Sequence, residues 1–185
     1  MKTIALIGPS GCGKTTIIDA IMEKQTNGVV FPFNFIKIKS HTSKDSRLED
    51  YHKVSREEFE RMIDNGEFVE YTNYSGNYYG LSKKTIESLG DGIGIKAFDI
   101  VGVKSLKRLY GDDVIAIFVY RKTDNLIVSI LDRDVTDAEK QSRISQLEDE
   151  QKNRFSEEID GVLKVDENDI DSTINRFIHL IEAVK

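Results

Sequence analysis

The sequence has little of several features that mark large classes of protein. Its 185 residues include one cysteine, Cys12, so no internal disulfide bond can form, and only two prolines. No stretch approaches the ~20 apolar residues needed to span a bilayer, and the apolar run near the N-terminus is shorter than the core of a signal peptide. We therefore expect a soluble, cytoplasmic protein in a reducing compartment.

An excess of positive charge is also missing. The chain has 26 Lys and Arg residues against 32 Asp and Glu residues, which gives a formal net charge of −6 at pH 7. Nucleic acids and anionic membranes attract proteins with a broad basic face, so this charge argues against both as partners. It does not argue against a nucleotide substrate, because a phosphate loop and a few local arginines can bind an anion in spite of the overall charge.

Short apolar strands alternate with helical segments along most of the chain. The apolar runs at 3–8, 93–100 and 113–120 are typical of buried parallel strands, and residues 173–184 have an amphipathic helical pattern. This alternation predicts an α/β fold, a three-layer sandwich whose mostly parallel sheet is covered by helices on both faces. Half-polar strands between about 35 and 80 break the alternation and indicate a small subdomain inserted into a single domain.

Two helices are marked by capping boxes, in which a Ser or Thr and a Glu three residues later bond reciprocally with backbone N–H groups. One box pairs Ser55 with Glu58, and the other pairs Thr136 with Glu139. The helix at about 136–154 is rich in charge and poor in apolar residues. It fits a mobile lid that faces solvent, and it fits an ordinary solvated surface helix equally well.

The segment GPSGCGKTT, residues 8–16, has the Walker A pattern Gly-x-x-x-x-Gly-Lys-Thr between a predicted strand and a predicted helix. Its glycines allow consecutive backbone N–H groups to point at one anion, and the helix N-terminus adds the positive end of its dipole. Lys14 can contact the β- and γ-phosphates of a nucleotide, and the Thr15 hydroxyl can bind Mg²⁺. We therefore predict that a phosphate chain binds along the loop, at Ser10, Gly11, Cys12, Gly13, Lys14, Thr15 and Thr16.

Cys12 lies inside this loop and allows two interpretations. The first is a small residue with a structural role, which we favour. The second is a thiol whose pKa is lowered by the helix dipole, which would make the side chain oxidisable.

Two kinds of P-loop protein are compatible with the loop alone. A GTPase switch has an Asp-x-x-Gly element, which Asp99-Ile-Val-Gly102 matches, and an Asn-Lys-x-Asp guanine reader. Residues 121–124, Arg-Lys-Thr-Asp, stand in the second place but begin with Arg where the reader has Asn. A nucleoside-monophosphate kinase is the alternative, and longer segments of the sequence favour it.

The chain resembles the guanylate kinase family along essentially its whole length. The most specific segment is GEFVEYTNYSGNYYG, residues 66–80, which is similar to the family's GMP-binding segment. GPSGCGKTT is similar to its phosphate loop, and SHTSKDSR, residues 40–47, resembles its Ser-x-Thr-Thr-Arg-x-x-Arg phosphate clamp. KAFDIVGVKSLK, residues 96–107, resembles its Asp-containing strand and following helix, which accounts for Asp99 and Gly102 without a GTPase switch.

The resemblance implies ATP-dependent phosphorylation of GMP or dGMP to the diphosphate, with Mg²⁺ bound together with ATP. It also implies three parts: a core at about 1–33, 81–125 and 155–185, a GMP-binding subdomain at about 34–80, and a lid at about 126–154. Carboxylates only accept hydrogen bonds, so an acidic reader suits the N1 and N2 donors of guanine better than it suits adenine.

The site residues that the resemblance assigns fall into three groups. The guanine base is assigned to Ser40, Glu70 and Asp99. The acceptor phosphate is assigned to Lys44, Arg47, Tyr51 and Tyr79. Catalysis is assigned to Lys14 together with the lid arginines Arg133 and Arg143, and the metal to Thr15.

Five positions differ from the family's pattern. Lys44 replaces a clamp arginine, Leu81 a small hydroxyl residue, Ala97 an acidic residue, Ser129 a lid arginine and Asp134 a glycine. These differences affect the acceptor, the metal surroundings and the lid together. Three alternatives therefore stay open: a slow guanylate kinase, a kinase of a modified or deoxy guanylate, and a nucleotide binder with little catalysis.

Overall fold

A computed structural model of the chain describes residues 2–45, 51–74 and 76–184. Its β-strands are β1 (Thr3–Ile7), β2 (Phe35–Lys37), β3 (Ser40–Thr42), β4 (Tyr51–Lys53), β5 (Phe68–Tyr74), β6 (Asn77–Ser82), β7 (Ile93–Ala97), β8 (Val114–Tyr120) and β9 (Gly161–Lys164). Its α-helices are α1 (Lys14–Thr26), α2 (Arg56–Asp64), α3 (Lys83–Glu87), α4 (Ile100–Tyr110), α5 (Thr123–Leu131), α6 (Asp137–Lys152) and α7 (Ile170–Val184). Within these ranges, no helix is both long enough and apolar enough to cross a membrane.

The larger sheet contains five parallel strands in the order β2-β7-β1-β8-β9. β1 lies at its centre, and every residue of that strand is buried because helices cover both faces. Ile4 and Leu6 pack into a core that includes residues of α1 and α7, whereas Ala5 and Ile7 pack into a second core with residues of α4. The predicted three-layer α/β sandwich with a mostly parallel sheet is confirmed.

The smaller sheet has the strand order β4-β3-β6-β5. β5 and β6 pair antiparallel, and both fall among the half-polar strands predicted between about 35 and 80. Phe59 and Met62 of α2 pack with Phe68 in a small separate core beside this sheet. Val69 and Leu81 instead join the second core of the larger sheet, so the two sheets are packed against each other through shared apolar contacts.

Two features of the fold differ from the prediction. The half-polar strand expected from Phe35 is split, because β2 pairs with β7 in the larger sheet and β3 begins the smaller sheet at Ser40. The smaller sheet therefore starts later than the expected boundary near residue 34. The sequence pattern also does not predict α3, a helix of five residues that begins after the N-cap Ser82.

Both predicted capping sites begin helices. The Ser55 hydroxyl accepts a 3.1 Å hydrogen bond from the backbone N–H of Glu58 at the start of α2. Thr136 and Glu139 form the full reciprocal capping box at the start of α6. Leu147 and Gln151 of α6 are buried, so this helix is attached along one side and is not a helix solvated all round.

Candidate active site

The phosphate loop connects the centre of the larger sheet to α1. Gly8 follows β1 with φ = 145°, a conformation that L side chains rarely adopt. A Cβ atom on Gly8 would lie 2.5 Å from the carbonyl oxygen of Val119 on β8, so only glycine fits this close approach. Gly13, with φ = 100°, is the N-cap residue of α1, which places the positive end of the helix dipole at the loop.

The Lys14 ammonium is held against the loop backbone. Its Nζ atom donates to the carbonyl oxygens of Gly8 at 2.5 Å and Pro9 at 2.9 Å. These carbonyls satisfy hydrogen bonds of the ammonium, and its charge has no carboxylate partner among the described residues. The loop therefore carries a positioned cation that can pair with a phosphate group.

The Cys12 side chain is fully buried, with 0% of its surface exposed. Burial raises the pKa of the thiol, and the Lys14 ammonium, 3.6 Å from Sγ, opposes this effect without cancelling it. The thiol is therefore protonated at neutral pH. The hypothesis of a readily oxidised thiol with a lowered pKa is wrong, and the structural interpretation fits.

A cavity of about 450 Å³ lies over the phosphate loop. The loop lines it with Ser10, Gly11 and residues 13–16, but not with the buried Cys12, and residues from the C-terminal half of the chain line it too. One of these is Arg133, the predicted lid arginine, whose exposed side chain borders the same cavity as Lys14. Ser129, where the resemblance implies an arginine, lines the cavity too and accepts a 2.6 Å hydrogen bond from Arg121.

The charged helix α6 contacts the loop directly. Nη1 of Arg143 donates to the Ser10 hydroxyl at 2.8 Å. The Glu150 carboxylate, two turns further along α6, accepts a 3.3 Å hydrogen bond from the Ser10 backbone N–H. The helix therefore brings one cation and one anion to the same loop residue.

Glu70 and Asp99 lie close together although Glu70 is on β5 of the smaller sheet and Asp99 follows β7 of the larger sheet. Both approach Gly102, where a Cβ atom would lie 3.2 Å from Oε2 of Glu70 and 3.4 Å from Oδ1 of Asp99. Burial raises the pKa of Glu70 above its usual value, the Lys96 ammonium acts against this, and the Asp99 carboxylate adds to it. Glu70 is partly buried and Asp99 is exposed. The pair presents acceptor oxygens, which suit a ligand with several N–H donors.

Asp99 also has a local role as the N-cap of α4. Its Oδ1 atom accepts a 2.7 Å hydrogen bond from the backbone N–H of Gly102. This cap accounts for the Asp-x-x-Gly string, so the string gives no support to a GTPase switch.

The loop and the carboxylate pair lie at the same edge of the larger sheet. Ala97 of β7 pairs with Leu6 of β1, so Asp99 and Gly8 follow the carboxyl ends of neighbouring strands. Arg121 follows β8, the neighbour of β1 on its other side. Open parallel sheets bind ligands at this edge, which places a phosphate site beside a carboxylate site.

The residues assigned to the acceptor phosphate are only partly described. The rings of Tyr51 and Tyr79 meet edge to face with their centroids 5.7 Å apart. Ser40, assigned to the base, is buried and pairs with Tyr51 in the ladder between β3 and β4. Lys44 is exposed, and Arg47 lies outside the described residues.

Two of the departures from the family pattern change the chemistry near the carboxylate pair. Leu81 pairs with Glu70 across β5 and β6, and its side chain is fully buried in the second core. It therefore adds an apolar contact where a hydroxyl is implied. Ala97 removes a carboxylate from the end of β7.

Binding of a metal ion at this site would depend on a bound nucleotide. Among the described residues, no group of three or more His, Cys, Asp and Glu side chains could hold a metal ion. The exposed Thr15 hydroxyl borders the phosphate-loop cavity and fits Mg²⁺ that arrives bound to phosphates and retains water ligands.

Three charged residues at the site were not predicted to belong to it. Lys96 lies on β7, one residue before Ala97, within the segment that resembles the family. Its charge next to that position is a sequence signal that could have indicated a site residue. Arg121 is the first residue after the strongest apolar strand, and the carboxyl end of such a strand is a usual place for ligand contacts. For Glu150, on a helix rich in exposed charge, the sequence holds no comparable signal.

Comparisons with known proteins identify the family to which the chain is similar. The guanylate kinase family model matches residues 1–184. A guanylate kinase of Salinibacter ruber is 30% identical over 191 residues, which cover 97% of each chain. One of Anaplasma phagocytophilum is 33% identical over 120 residues, which cover 63% of this chain and 56% of that relative.

The fold has relatives among solved structures. A crystal structure of a guanylate kinase from Anaplasma phagocytophilum superimposes with a TM-score of 0.65, at 22% identity, over 99% of this chain and 85% of that one. At this identity the superposition supports the fold, while the family model and the full-length sequence match carry the membership. The chain belongs to the guanylate kinase family of nucleoside-monophosphate kinases.

Proposed function

We propose that this protein transfers the γ-phosphoryl group of ATP to the phosphate of GMP or dGMP. The bond between the γ-phosphorus and its bridging oxygen breaks, a bond to an oxygen of the acceptor phosphate forms, and ADP and GDP or dGDP are released. The observation that supports this most is that the loop with Lys14 and the carboxylate of Asp99 follow neighbouring strands at one edge of the larger sheet, with Glu70 of the smaller sheet beside Asp99.

The acceptor base is read by carboxylates in this proposal. Guanine has N–H donors at N1 and N2, and ionised Glu70 and Asp99 can only accept hydrogen bonds. Adenine has a hydrogen-bond acceptor at N1. This acceptor would lie opposite a carboxylate oxygen, which is also an acceptor, so no hydrogen bond would form there. A partly buried site built for one base leaves its polar groups unpaired with the other, and this gives the preference for guanine.

The transfer itself needs positioning and charge neutralisation. The acceptor is already an anionic phosphate near neutral pH, since its second pKa is about 6, and no general base is required. Lys14, with Arg133 and Arg143 from the lid region, stabilises the charge that spreads over the phosphoryl oxygens in the transition state. Mg²⁺ supplies further neutralisation when it is bound with ATP, and Thr15 is the residue of this chain that would contact it.

The parts of the chain divide the work accordingly. The smaller sheet with its hairpin of β5 and β6 holds GMP, the larger sheet with the phosphate loop holds ATP, and α6 with the segment before it forms the lid. A lid that closes over the reacting phosphates excludes water and limits wasteful ATP hydrolysis.

A second candidate function is a nucleotide binder with little catalysis. The observation that favours it is the change at Leu81 and Ala97, which puts an apolar contact where a hydroxyl is implied and removes one carboxylate from the end of β7. This candidate shares the ATP site with the first and differs from it in turnover.

The two candidates separate in one assay. Purified protein with Mg²⁺ and ATP is supplied with GMP, dGMP, AMP, UMP or CMP, and a reaction without acceptor measures background hydrolysis. We expect GDP from GMP, no product from the Lys14→Ala variant, and a strong reduction in Glu70→Ala. Lys24→Ala and Glu67→Ala, at exposed or peripheral positions of α1 and before β5, are the matched controls.

Each other result has a definite meaning. ATP binding without GDP formation would reject the kinase proposal in favour of the binder. In a separate reaction that contains GTP and no acceptor, hydrolysis of GTP would favour a switch. Equal turnover of GMP and AMP would reject the proposed role of the carboxylate pair.

A further inference from the structure

Arg121 is the first residue after β8, and its side chain reaches the phosphate-loop cavity. It lines the same cavity of about 450 Å³ as Lys14, Thr15 and Arg133. No more than 22% of the side chain is exposed. Its position on a strand end differs from that of Arg133, which is exposed and lies just beyond α5.

The guanidinium is fixed from one side. Nη1 donates to the carbonyl oxygen of Gly11 at 3.1 Å and to the Ser129 hydroxyl at 2.6 Å. The backbone carbonyl of Arg121 accepts a 3.1 Å hydrogen bond from Nε2 of Gln151 on α6. The guanidinium is therefore held by the loop and by α5, while the lid helix α6 bonds only the backbone of Arg121.

The Nη2 and Nε donors of the Arg121 guanidinium differ from Nη1, because they make no hydrogen bond among the described residues. An arginine has five N–H donors in a planar fork, and Nη1 accounts for two of them. Nη2 makes no hydrogen bond with any residue in the described ranges, and the buried Nε atom meets Glu167 at 3.4 Å as an ion pair without forming a hydrogen bond. A half-buried cation with free donors at a phosphate loop is suited to an anionic ligand.

We propose that Arg121 binds the phosphate chain of the donor nucleotide. The fork geometry of guanidinium matches two phosphate oxygens, which a lysine in its place would contact with a single ammonium. Because Arg121 sits on a strand end and is tied to Gly11, its charge is in place independently of the lid arginines. Arg121 therefore contributes to binding of the donor before the lid closes, and this inference rests on the proposed function only for the identity of that donor.

A structural role is the competing explanation, because the bond from Nη1 to Gly11 could serve only to support the loop. The two roles differ in their response to salt. A direct contact between guanidinium and phosphate is screened by salt, so its removal flattens the dependence of ATP affinity on ionic strength. If Arg121 only supports the loop, its removal leaves the charges that contact the phosphate unchanged. The dependence of ATP affinity on ionic strength would then keep its slope.

The test is a titration of the full chain with ATP in the absence of GMP, by calorimetry, between about 50 and 400 mM KCl, a range over which the Debye length falls about threefold. We compare the parent with Arg121→Gln and Arg121→Lys. The control is Arg154→Gln, an arginine that packs over Tyr120, the residue before Arg121, and that does not line the cavity. Inorganic tripolyphosphate, titrated in the same way, is the probe without a base.

We expect Arg121→Gln to lower the affinity for ATP and for tripolyphosphate on the order of ten- to hundredfold, as for loss of hydrogen bonds to a charged group. It should also reduce the slope of ATP affinity against salt concentration. Arg121→Lys is expected to restore the slope and part of the affinity, and Arg154→Gln to bind ATP within about twofold of the parent because it leaves the contact intact. Affinity within twofold in Arg121→Gln, or lost affinity with an unchanged slope, would overturn the inference. A parent that binds ATP but forms no GDP would reject the proposed function and leave this result standing.

Discussion

Replacement of Glu70 by Gln tests the proposed reading of guanine most directly, because it keeps the shape of the side chain and removes its charge. Glu70 is partly buried beside Asp99 and Lys96. A glutamine oxygen can still accept one hydrogen bond, but its NH₂ group would face the second N–H donor of guanine. At least one charge-assisted hydrogen bond is therefore lost.

The size of this loss follows from the usual strength of such bonds. A hydrogen bond to a charged group contributes about 1.5–3 kcal/mol, which corresponds to a KM for GMP about 10- to 150-fold higher. The preference for GMP over AMP should shrink by the same factor, since adenine does not use the lost acceptor.

The pH dependence gives a second readout with a definite sign. GMP binds ionised Glu70, and burial raises the pKa of this carboxyl above its usual value. The KM for GMP should therefore rise as the pH falls through that raised pKa, earlier than for an ordinary glutamate. The phosphate of GMP also titrates near pH 6, and the Glu70→Gln variant isolates this contribution because its side chain does not titrate.

Stability separates the proposal from simple damage to the fold. With the folded pKa raised, ionised Glu70 costs stability at neutral pH, and protonation recovers that stability as the pH falls through the raised pKa. Glu70→Gln should thus melt at no lower temperature than the parent at pH 7 while it loses GMP affinity. The control is Glu67→Gln, whose exposed carboxylate accepts a 3.0 Å bond from Asn65.

The assay is initial-rate kinetics at varied GMP with saturating ATP, together with thermal unfolding of each variant. An unchanged KM in Glu70→Gln would refute the reasoning. So would an equal rise in Glu67→Gln, or a loss of affinity that tracks a lower melting temperature.

Three further predictions concern the phosphate loop. Gly8→Ala should abolish measurable ATP binding in calorimetry and lower the melting temperature, since the new methyl group would meet the Val119 carbonyl oxygen at 2.5 Å; normal binding would contradict this. Glu150→Gln should lower the Kd for ATP severalfold by removing an anion from the loop, while Glu148→Gln, exposed on the same helix, should not. Cys12 in the folded protein should react with a thiol reagent far more slowly than in urea, because the thiol is buried and its pKa is raised; equal rates would contradict this.

The elements that could be predicted from the sequence are those whose cause is local. β1 and β8 are runs of apolar residues long enough to cross a covered sheet, and each is buried throughout or nearly so. α2 and α6 begin where Ser55 and Thr136 supply a cap within three residues of the helix start. Nothing distant is needed to specify these starts.

The partner of a strand is a different matter. The alternating pattern after Phe35 correctly indicates extended chain but does not show which sheet it joins. Phe35 pairs with Ile93, far along the sequence, while Ser40 begins a strand of the other sheet. Strand pairing of this kind depends on which apolar surfaces are buried together, so it became visible only in the assembled fold.

The site divides in the same way. Lys14 could be predicted because the whole phosphate loop is contiguous, whereas Arg121 and Glu150 reach that loop from 110 and 140 residues away. Residues at such separations are brought together by the order β7-β1-β8 and by the packing of α6. The sequence marks Arg121 only by its place after a buried strand, and no local pattern distinguishes Glu150 from the other charges of its segment.

Gly102 has both a local effect on the fold and an effect on residues distant in the sequence. Its backbone N–H completes the cap made by Asp99 three residues earlier, which is a local event readable as Asp-x-x-Gly. Its missing side chain also leaves room for Glu70, since a Cβ atom would meet Oε2 of that residue at 3.2 Å. The string that matched a GTPase element therefore serves here to cap α4 and to let a carboxylate from the other sheet approach Asp99, and only the second effect is specific to the acceptor site proposed for this chain.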